Sequence, residues 1–270
     1  MTGNSRKMTV PRFQQRKGEG PPLVMLTAYD VPTTLAAEAA GVDAILVGDS
    51  LGNVLLGHES TLPVTMDEMA LHARSVGRAR KSALLVVDMP WLSYHIDPRE
   101  SVRNAAQLVR VSGADAVKVE GGRKRVDAIR AIVDAEIPVM GHLGLTPQSV
   151  LQMGGYKVQG RAAAEAERIR EDAEAIVEAG VFSMVLEGVP PKLAKQITGD
   201  VSVPTIGIGA SPACDGQVLV YHDLLGMLPG PSPKFVRRYD ESFDRHVKAI
   251  KRWSDDVRER SFPATDETYE

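Results

Sequence analysis

The chain has 270 residues, 43% of them hydrophobic, enough for a sizeable core and within the span of one α/β barrel. Its 32 basic and 35 acidic residues leave a formal charge of -3, and no basic face suited to nucleic acid stands out. The single cysteine, Cys214, excludes an intrachain disulfide. No apolar run reaches the roughly 18 residues of a membrane helix, and Met1 to Arg6 lacks the apolar centre of a signal peptide. A cytoplasmic protein without nucleic-acid or membrane partners is expected.

Leu23 to Thr27 is the first short apolar run, followed by Ala28-Tyr29-Asp30. A repeated grammar then begins. Gly41 closes a helix-like stretch and precedes an apolar run ending at Asp49. Gly113 does the same before a run ending at Glu120, and Gly180 before one ending at Glu187. Glycine suits a helix C′ position because it takes positive φ without a Cβ clash. Short runs rich in Val, Ile and Leu read as buried parallel strands. Ala83 to Val87, Ile137 to Gly141, Val203 to Ile208 and Gln217 to Tyr221 complete a set of eight.

Helical segments separate most of these runs. Thr65-Met66-Asp67-Glu68 reads as a capping box opening a helix through Arg80. Asp97-Pro98-Arg99-Glu100 reads as another, with proline at the first helical position. Ala162 to Ala179 is a helix stopped by Gly180. Between Gly209 and Gly216 no helix is evident, so that crossover is expected to be very short. Trp253 to Glu270 is charged, with Pro263 and no clear period.

Eight βα repeats predict an α/β (β/α)₈ TIM barrel, with residues 1–270 as one domain and 1–9 and 253–270 as peripheral termini. A doubly wound open sheet is the rival. It usually carries a Gly-rich turn after its first strand, where this chain has Ala28-Tyr29-Asp30.

Active-site residues of a barrel sit at the C-terminal strand ends. Those ends read Tyr29-Asp30, Asp49-Ser50, Asp88, Lys118-x-Glu120, His142, Glu187 and Gly209. Lys118 and Glu120 are two residues apart on one strand, so both point to the same face, the interior. A single acid at a strand end is ordinarily a helix cap or a solvated loop residue. Four acids at four strand ends (Asp49, Asp88, Glu120, Glu187) are harder to read that way, because buried like charges repel. A divalent cation resolves the conflict, and Mg²⁺ typically takes one or two carboxylates plus water and substrate. His142 taken alone reads as a structural hydrogen-bond partner as readily as a catalyst. His58 sits on a loop and is open to either reading. Gly207-Ile208-Gly209-Ala210 is a weak anion signature. The loop from Gly154 to Arg161 brings Lys157 and Arg161 either toward an anionic ligand or merely to the surface.

Longer motifs carry a resemblance. MLTAYD at Met25 to Asp30, VGDSLGN at Val47 to Asn53, KVEGG at Lys118 to Gly122, GHLGLTPQSV at Gly141 to Val150 and GGYKVQGR at Gly154 to Arg161 are similar to the ketopantoate hydroxymethyltransferase family. The resemblance implies a TIM-barrel transferase of pantothenate biosynthesis. It implies transfer of a one-carbon unit from 5,10-methylenetetrahydrofolate to 3-methyl-2-oxobutanoate, Mg²⁺ as metal, and a cytoplasmic homodecamer of two pentamers. It makes Asp49, Asp88 and Glu120 the metal-site acids, and Asp49, Ser50, Asp88 and Lys118 the substrate contacts. Glu187 matches the proton acceptor; Tyr29 and His142 are supporting candidates. The chain departs from the family at Ser211-Pro212 and in its tail.

On this reading the metal and Lys118 meet the charge that develops on a 2-oxo acid, and Glu187, closing an apolar run, takes the C3 proton. Two alternatives stand beside it. One is a Mg²⁺-dependent 2-oxo-acid lyase of the isocitrate lyase and phosphoenolpyruvate mutase kind. Those lyases carry a cysteine-bearing loop, and Cys214 lies far from such a position. The other is a noncatalytic barrel module, which would have no need of four clustered acids.

Overall fold

The computed structural model describes residues 7–269 and divides into two compact units, Met1–Val220 and Tyr221–Glu270. The expectation for Met1 to Arg6 lies outside the described residues.

The first unit is a closed barrel of parallel strands in sequence order: β1 (Leu23–Thr27), β2 (Ala44–Val47), β3 (Leu84–Asp88), β4 (Ala116–Glu120), β5 (Val139–Gly144), β6 (Ser183–Glu187), β7 (Thr205–Ile208) and β8 (Gly216–Leu219). β8 pairs with β1, with Leu23 opposite Gly216, and this closure removes the open-sheet rival. The Gly-stopped helices form as expected. Gly41 and Gly113 are left-handed C-caps with φ of 76° and 66°, and Gly180 has a φ of 98°. β7 passes to β8 without a helix.

Thr65 and Glu68 make the reciprocal capping box of the Met66–Ala79 helix. The second expected box is corrected. Asp97 caps the Pro98–Ser112 helix by accepting from the Arg99 amide, one residue early, and Glu100 makes no return bond. With proline at the first position, the nearest free donor is the next amide.

Alternate residues of the strands share the barrel interior. Leu23, Met25, Ala44, Leu46, Leu84, Val86, Ala116, Met140, Val185, Ile206 and Val218 form one buried cluster. A five-residue helix, Val10–Gln14, adds Phe13 to it, fully buried and edge-on to Phe182 at 5.8 Å. The strand bases are thus filled by apolar side chains, and burying one such aromatic contributes about 1.5–3 kcal/mol.

In the second unit the chain forms a short helix, Tyr221–Leu224, and an 18-residue helix, Ser242–Glu259. Backbone bonds from Tyr239 N to Leu224 O (2.8 Å) and Ser242 N to Leu225 O (3.0 Å) join them. The reading of residues 253–270 as lacking a period is corrected. Val247, Ile250, Trp253 and Val257 recur at helical spacing and stand exposed, so residues 253–259 complete a long amphipathic helix. No helix among the described residues is long and apolar enough to cross a membrane.

Candidate active site

The interior rows change character as they rise toward the C-terminal strand ends. Leu84 and Val86 lead to Asp88, Ala116 leads to Lys118 and Glu120, Met140 leads to His142, and Val185 leads to Glu187. Period-two alternation carries each polar side chain onto the face that the apolar ones fill below. Strand register sets them side by side, with Asp88 opposite Lys118 and Glu120 opposite His142. Asp49 follows β2 by two residues and is equally buried, at 3% exposure against 3% for Asp88 and 5% for Glu120.

The contacts form one chain. Asp49 N donates to Asp88 Oδ2 at 3.1 Å. Lys118 Nζ lies 3.1 Å from Asp88 Oδ1, 3.8 Å from Glu120 Oε1 and 3.0 Å from His142 Nδ1. His142 bridges two acids, with Nδ1 3.3 Å from Glu120 Oε1 and Nε2 3.1 Å from Glu187 Oε2. The Glu187 side chain is 15% exposed, against 4% for those of Asp88 and Glu120, so it is the acid nearest solvent. Tyr29 is fully buried, and its hydroxyl meets Ser50 Oγ at 2.8 Å, Ser50 being the residue after Asp49.

Burial, with the charges of Asp88 and Glu120, pushes the Asp49 carboxyl well above the ordinary aspartate range. Burial also raises Asp88, with Lys118 pulling against it. Glu120 is held low: burial would raise it, but His142 and Lys118 outweigh that. Lys118 is raised, since Asp88, Glu120 and Asp49 overcome the burial that would lower it. His142 reaches about 9, because Glu120 and Glu187 outweigh its burial and the Lys118 cation. Lys118 Nζ at 3.0 Å and Glu120 Oε1 at 3.3 Å compete for His142 Nδ1: the ammonium can bond it only when it carries no proton, the carboxylate only when it does.

Two residues outside the expected set hold the cluster. Gln148, buried in the turn after β5, donates its backbone N–H to Glu120 Oε2 (3.0 Å). Its Nε2 donates to Asp49 Oδ2 (2.8 Å) and Met89 O (2.9 Å). Its Oε1 accepts from the Tyr94 hydroxyl, which in turn accepts from Glu120 N at 3.2 Å. Gln148 lies inside the GHLGLTPQSV motif, so a signal for it existed; Tyr94 had none.

Other expected positions go elsewhere. Asp30 is a helix cap, its Oδ1 accepting from Thr33 N at 2.8 Å. His58 stays on its loop, where its carbonyl accepts from Asn53 Nδ2. Gly207 is a packing glycine: a Cβ there would meet the Gln217 amide at 3.0 Å. Gln159 N donates to Gly188 O at 2.9 Å, tying the 154–161 loop to the residue after Glu187. Cys214 is buried in the link between β7 and β8, with its sulfur 3.9 Å from the Thr198 hydroxyl.

The donor set suits a hard divalent cation held by few protein ligands. Two buried acids, Asp49 and Asp88, stand at adjacent strand ends, joined through the Asp49 backbone N–H, and both carboxyls are pushed toward protonation. Asp88 Oδ1 is buried, with the Lys118 ammonium 3.1 Å away as its partner. Among the described residues no group of three His, Cys, Asp or Glu is gathered as for a closed structural site. Mg²⁺ usually takes one or two carboxylates and fills its other positions with water and substrate.

A closed barrel with acids, a lysine and a histidine converging over its strand C-termini is the architecture of a barrel enzyme. Comparisons narrow the class. The family model described as ketopantoate hydroxymethyltransferase matches residues 7–265. The 3-methyl-2-oxobutanoate hydroxymethyltransferase of Moorella thermoacetica is 54% identical over 263 residues, covering 97% of this chain and 98% of that protein. Its Pelobacter propionicus counterpart is 51% identical, covering 100% of both. The chain belongs to the ketopantoate hydroxymethyltransferase family and is an enzyme, a hydroxymethyltransferase.

Solved structures share the fold at much lower identity. A 2,3-dimethylmalate lyase of the PEP mutase/isocitrate lyase superfamily superposes with a TM-score of 0.61 at 18% identity, covering 97% of this chain and 89% of its own. A phosphonopyruvate hydrolase complexed with oxalate and Mg²⁺ gives 0.62 at 13%, covering 96% and 93%. The lyase alternative is thus a kinship of fold, and the transferase reading stands over it.

Proposed function

We propose that the chain transfers a hydroxymethyl group from 5,10-methylenetetrahydrofolate to 3-methyl-2-oxobutanoate, forming 2-dehydropantoate in pantothenate biosynthesis. The observation that carries this reading is the buried Asp49–Asp88 pair set against Lys118. Asp49 and Asp88 would hold Mg²⁺, with Glu120 adding its charge behind them. When bound, the ion supplies a Lewis acid for the carboxylate and keto oxygens of the 2-oxo acid.

Lys118 neutralises the substrate carboxylate or the charge developing on the keto oxygen, and the carboxylates around it keep it protonated for that task. Ser50, joined to Tyr29, gives the substrate a hydroxyl contact. Glu187 accepts the C3 proton. Its 3.1 Å contact with His142 Nε2 orients the carboxylate, and its greater exposure sets it on the substrate side of the cluster. Water releases the one-carbon unit from the folate as formaldehyde, both C–N bonds to that carbon breaking and the nitrogens keeping the protons of tetrahydrofolate. The carbanion then adds to the formaldehyde carbon, and the alkoxide takes back a proton from Glu187 to give the hydroxymethyl group.

The test is turnover of 3-methyl-2-oxobutanoate with and without folate and EDTA. Product only with folate, and abolished by EDTA until Mg²⁺ is restored, supports the reading. Folate-independent cleavage of a 2-oxo acid would overturn it in favour of a lyase.

The same reading takes the chain to be a cytoplasmic homodecamer of two pentamers. The exposed Val247, Ile250, Trp253 and Val257 of the Ser242–Glu259 helix suit burial against another copy. Light scattering should give a mass near ten chains, and a monomer or dimer at micromolar concentration would refute it.

A further inference from the structure

The loop leaving β4 carries positive charge that the chemistry above leaves unused. Gly121 and Gly122 follow Glu120, and a tight turn, Arg123–Arg125, adds three cations in a row. The loop is fastened to the Ala163–Glu178 helix. Asp172 Oδ1 accepts from Arg123 N at 2.9 Å and lies 3.4 Å from Arg123 Nε, while Arg123 Nη2 pairs with Glu171 at 2.7 Å. Gly122 permits this: a Cβ there would lie 2.1 Å from Asp172 Cγ.

Arg123 is therefore matched by two acids. Its neighbours Lys124 and Arg125, together with Arg168 of the same helix, line a cavity of about 350 Å³. Glu120, Tyr94 and Gln148 also line it, so it adjoins the acid cluster. Among the described residues neither Lys124 nor Arg168 has an ion-pair partner. The Arg125 guanidinium lies 5.9 Å from the Tyr94 ring centroid. His95 lines the cavity too, and its Nδ1 is buried with no hydrogen-bond partner. Burial and the Arg125 charge push that imidazole down to about 4, so the ring is neutral.

The mouth itself is rich in acids, and among the described residues Lys118 is the lysine or arginine that pairs with them. A bulky co-substrate with an anionic end needs its counter-charge beside the mouth. A cationic cavity next to it supplies that and raises the local concentration of such a ligand. Guanidinium groups match carboxylates in shape as well as charge.

We propose that this cavity seats the glutamyl carboxylates of the folate co-substrate, through Lys124, Arg125 and Arg168. The inference rests on the folate reading above. The same chemistry would suit a free anion such as phosphate, and the test separates the two.

Lys124→Ala/Arg168→Ala removes two exposed cations that hold no internal partner, so the fold should persist. Calorimetry would compare tetrahydrofolate with tetrahydropteroate, which lacks the glutamyl group. The unsubstituted chain should bind the glutamylated form about tenfold more tightly, equivalent to about 1.4 kcal/mol. The double variant should lose that preference and bind tetrahydropteroate unchanged. Its affinity for 3-methyl-2-oxobutanoate and its folate-free exchange of the C3 proton should also stay the same. Equal affinity of the unsubstituted chain for the two forms, or a preference that survives in the variant, overturns the inference. Inorganic phosphate that alters folate-free C3 exchange would identify a free-anion effector site and overturn it as well. Because binding is read directly, a failure of turnover with an intact glutamyl preference counts against the proposed reaction and not against this site.

Discussion

Gln148→Met tests whether the acid cluster is held by the network that surrounds it. Methionine keeps the length and approximate volume of glutamine but offers no comparable donor or acceptor. The substitution leaves the backbone bond from residue 148 to Glu120 in place. It removes the donor to Asp49 Oδ2 at 2.8 Å and to Met89 O at 2.9 Å, and the acceptor for the Tyr94 hydroxyl. An orphaned buried polar group costs about 1–3 kcal/mol. Tyr94 keeps its bond from Glu120 N, so its share is small. The sum for the two orphaned groups is about 2–6 kcal/mol, or about 4–24 °C in Tm at 2–4 °C per kcal/mol for a large domain. Thermal unfolding reads the stability, and Mg²⁺ titration reads the site, where affinity should fall because Asp49 loses its positioning donor. A Tm within about 3 °C of the unsubstituted chain, together with unchanged Mg²⁺ affinity, would refute the reasoning.

Asp49→Ala and Asp88→Ala should each abolish Mg²⁺-dependent turnover, and Asp88→Ala should also lower Tm because it takes the 3.1 Å partner from the buried Lys118 ammonium; near-native turnover at low Mg²⁺ would remove the metal assignment. Glu38 offers a pH test away from the site. Its carboxylate accepts from the Lys81, Ser82 and Ala83 amides and from Ser82 Oγ, at 2.7 to 3.0 Å. Burial opposes ionisation there, but these bonds prevail and lower its pKa below 4.5. Its contribution is therefore full above pH 4.5 and lost as pH falls through the folded-state value. Glu38→Gln should cost about 1 kcal/mol at pH 7 and less at pH 3; an equal loss at both would show that charge plays no part.

The barrel was legible because three helices end in glycine before apolar runs that finish on an acid. The site was legible for the same reason: Asp88, Glu120 and Glu187 close their strands, and alternation carries them inward. Asp30 looked similar, yet one residue of difference makes it a cap for the following helix. Gln148 and Tyr94 were not singled out because they sit in loops after β5 and β3, where no period marks a buried polar residue. Their roles follow only from the chain meeting itself. The Val10–Gln14 helix was too short for periodicity and buries a single large side chain, Phe13. In the Ser242–Glu259 helix the charged residues masked an apolar stripe that the backbone makes plain.

Proton abstraction by Glu187 is the central claim of the mechanism, and exchange of the C3 proton of 3-methyl-2-oxobutanoate in D₂O without folate isolates it. Glu187→Gln keeps the size and an oxygen facing His142 Nε2 but cannot accept the proton. General base catalysis is worth about 10²–10⁴-fold, so NMR should show exchange slowed by that factor, with Mg²⁺ and substrate binding unchanged. Exchange at the unsubstituted rate in Glu187→Gln would contradict the account and shift the base to His142 or to a metal-bound hydroxide.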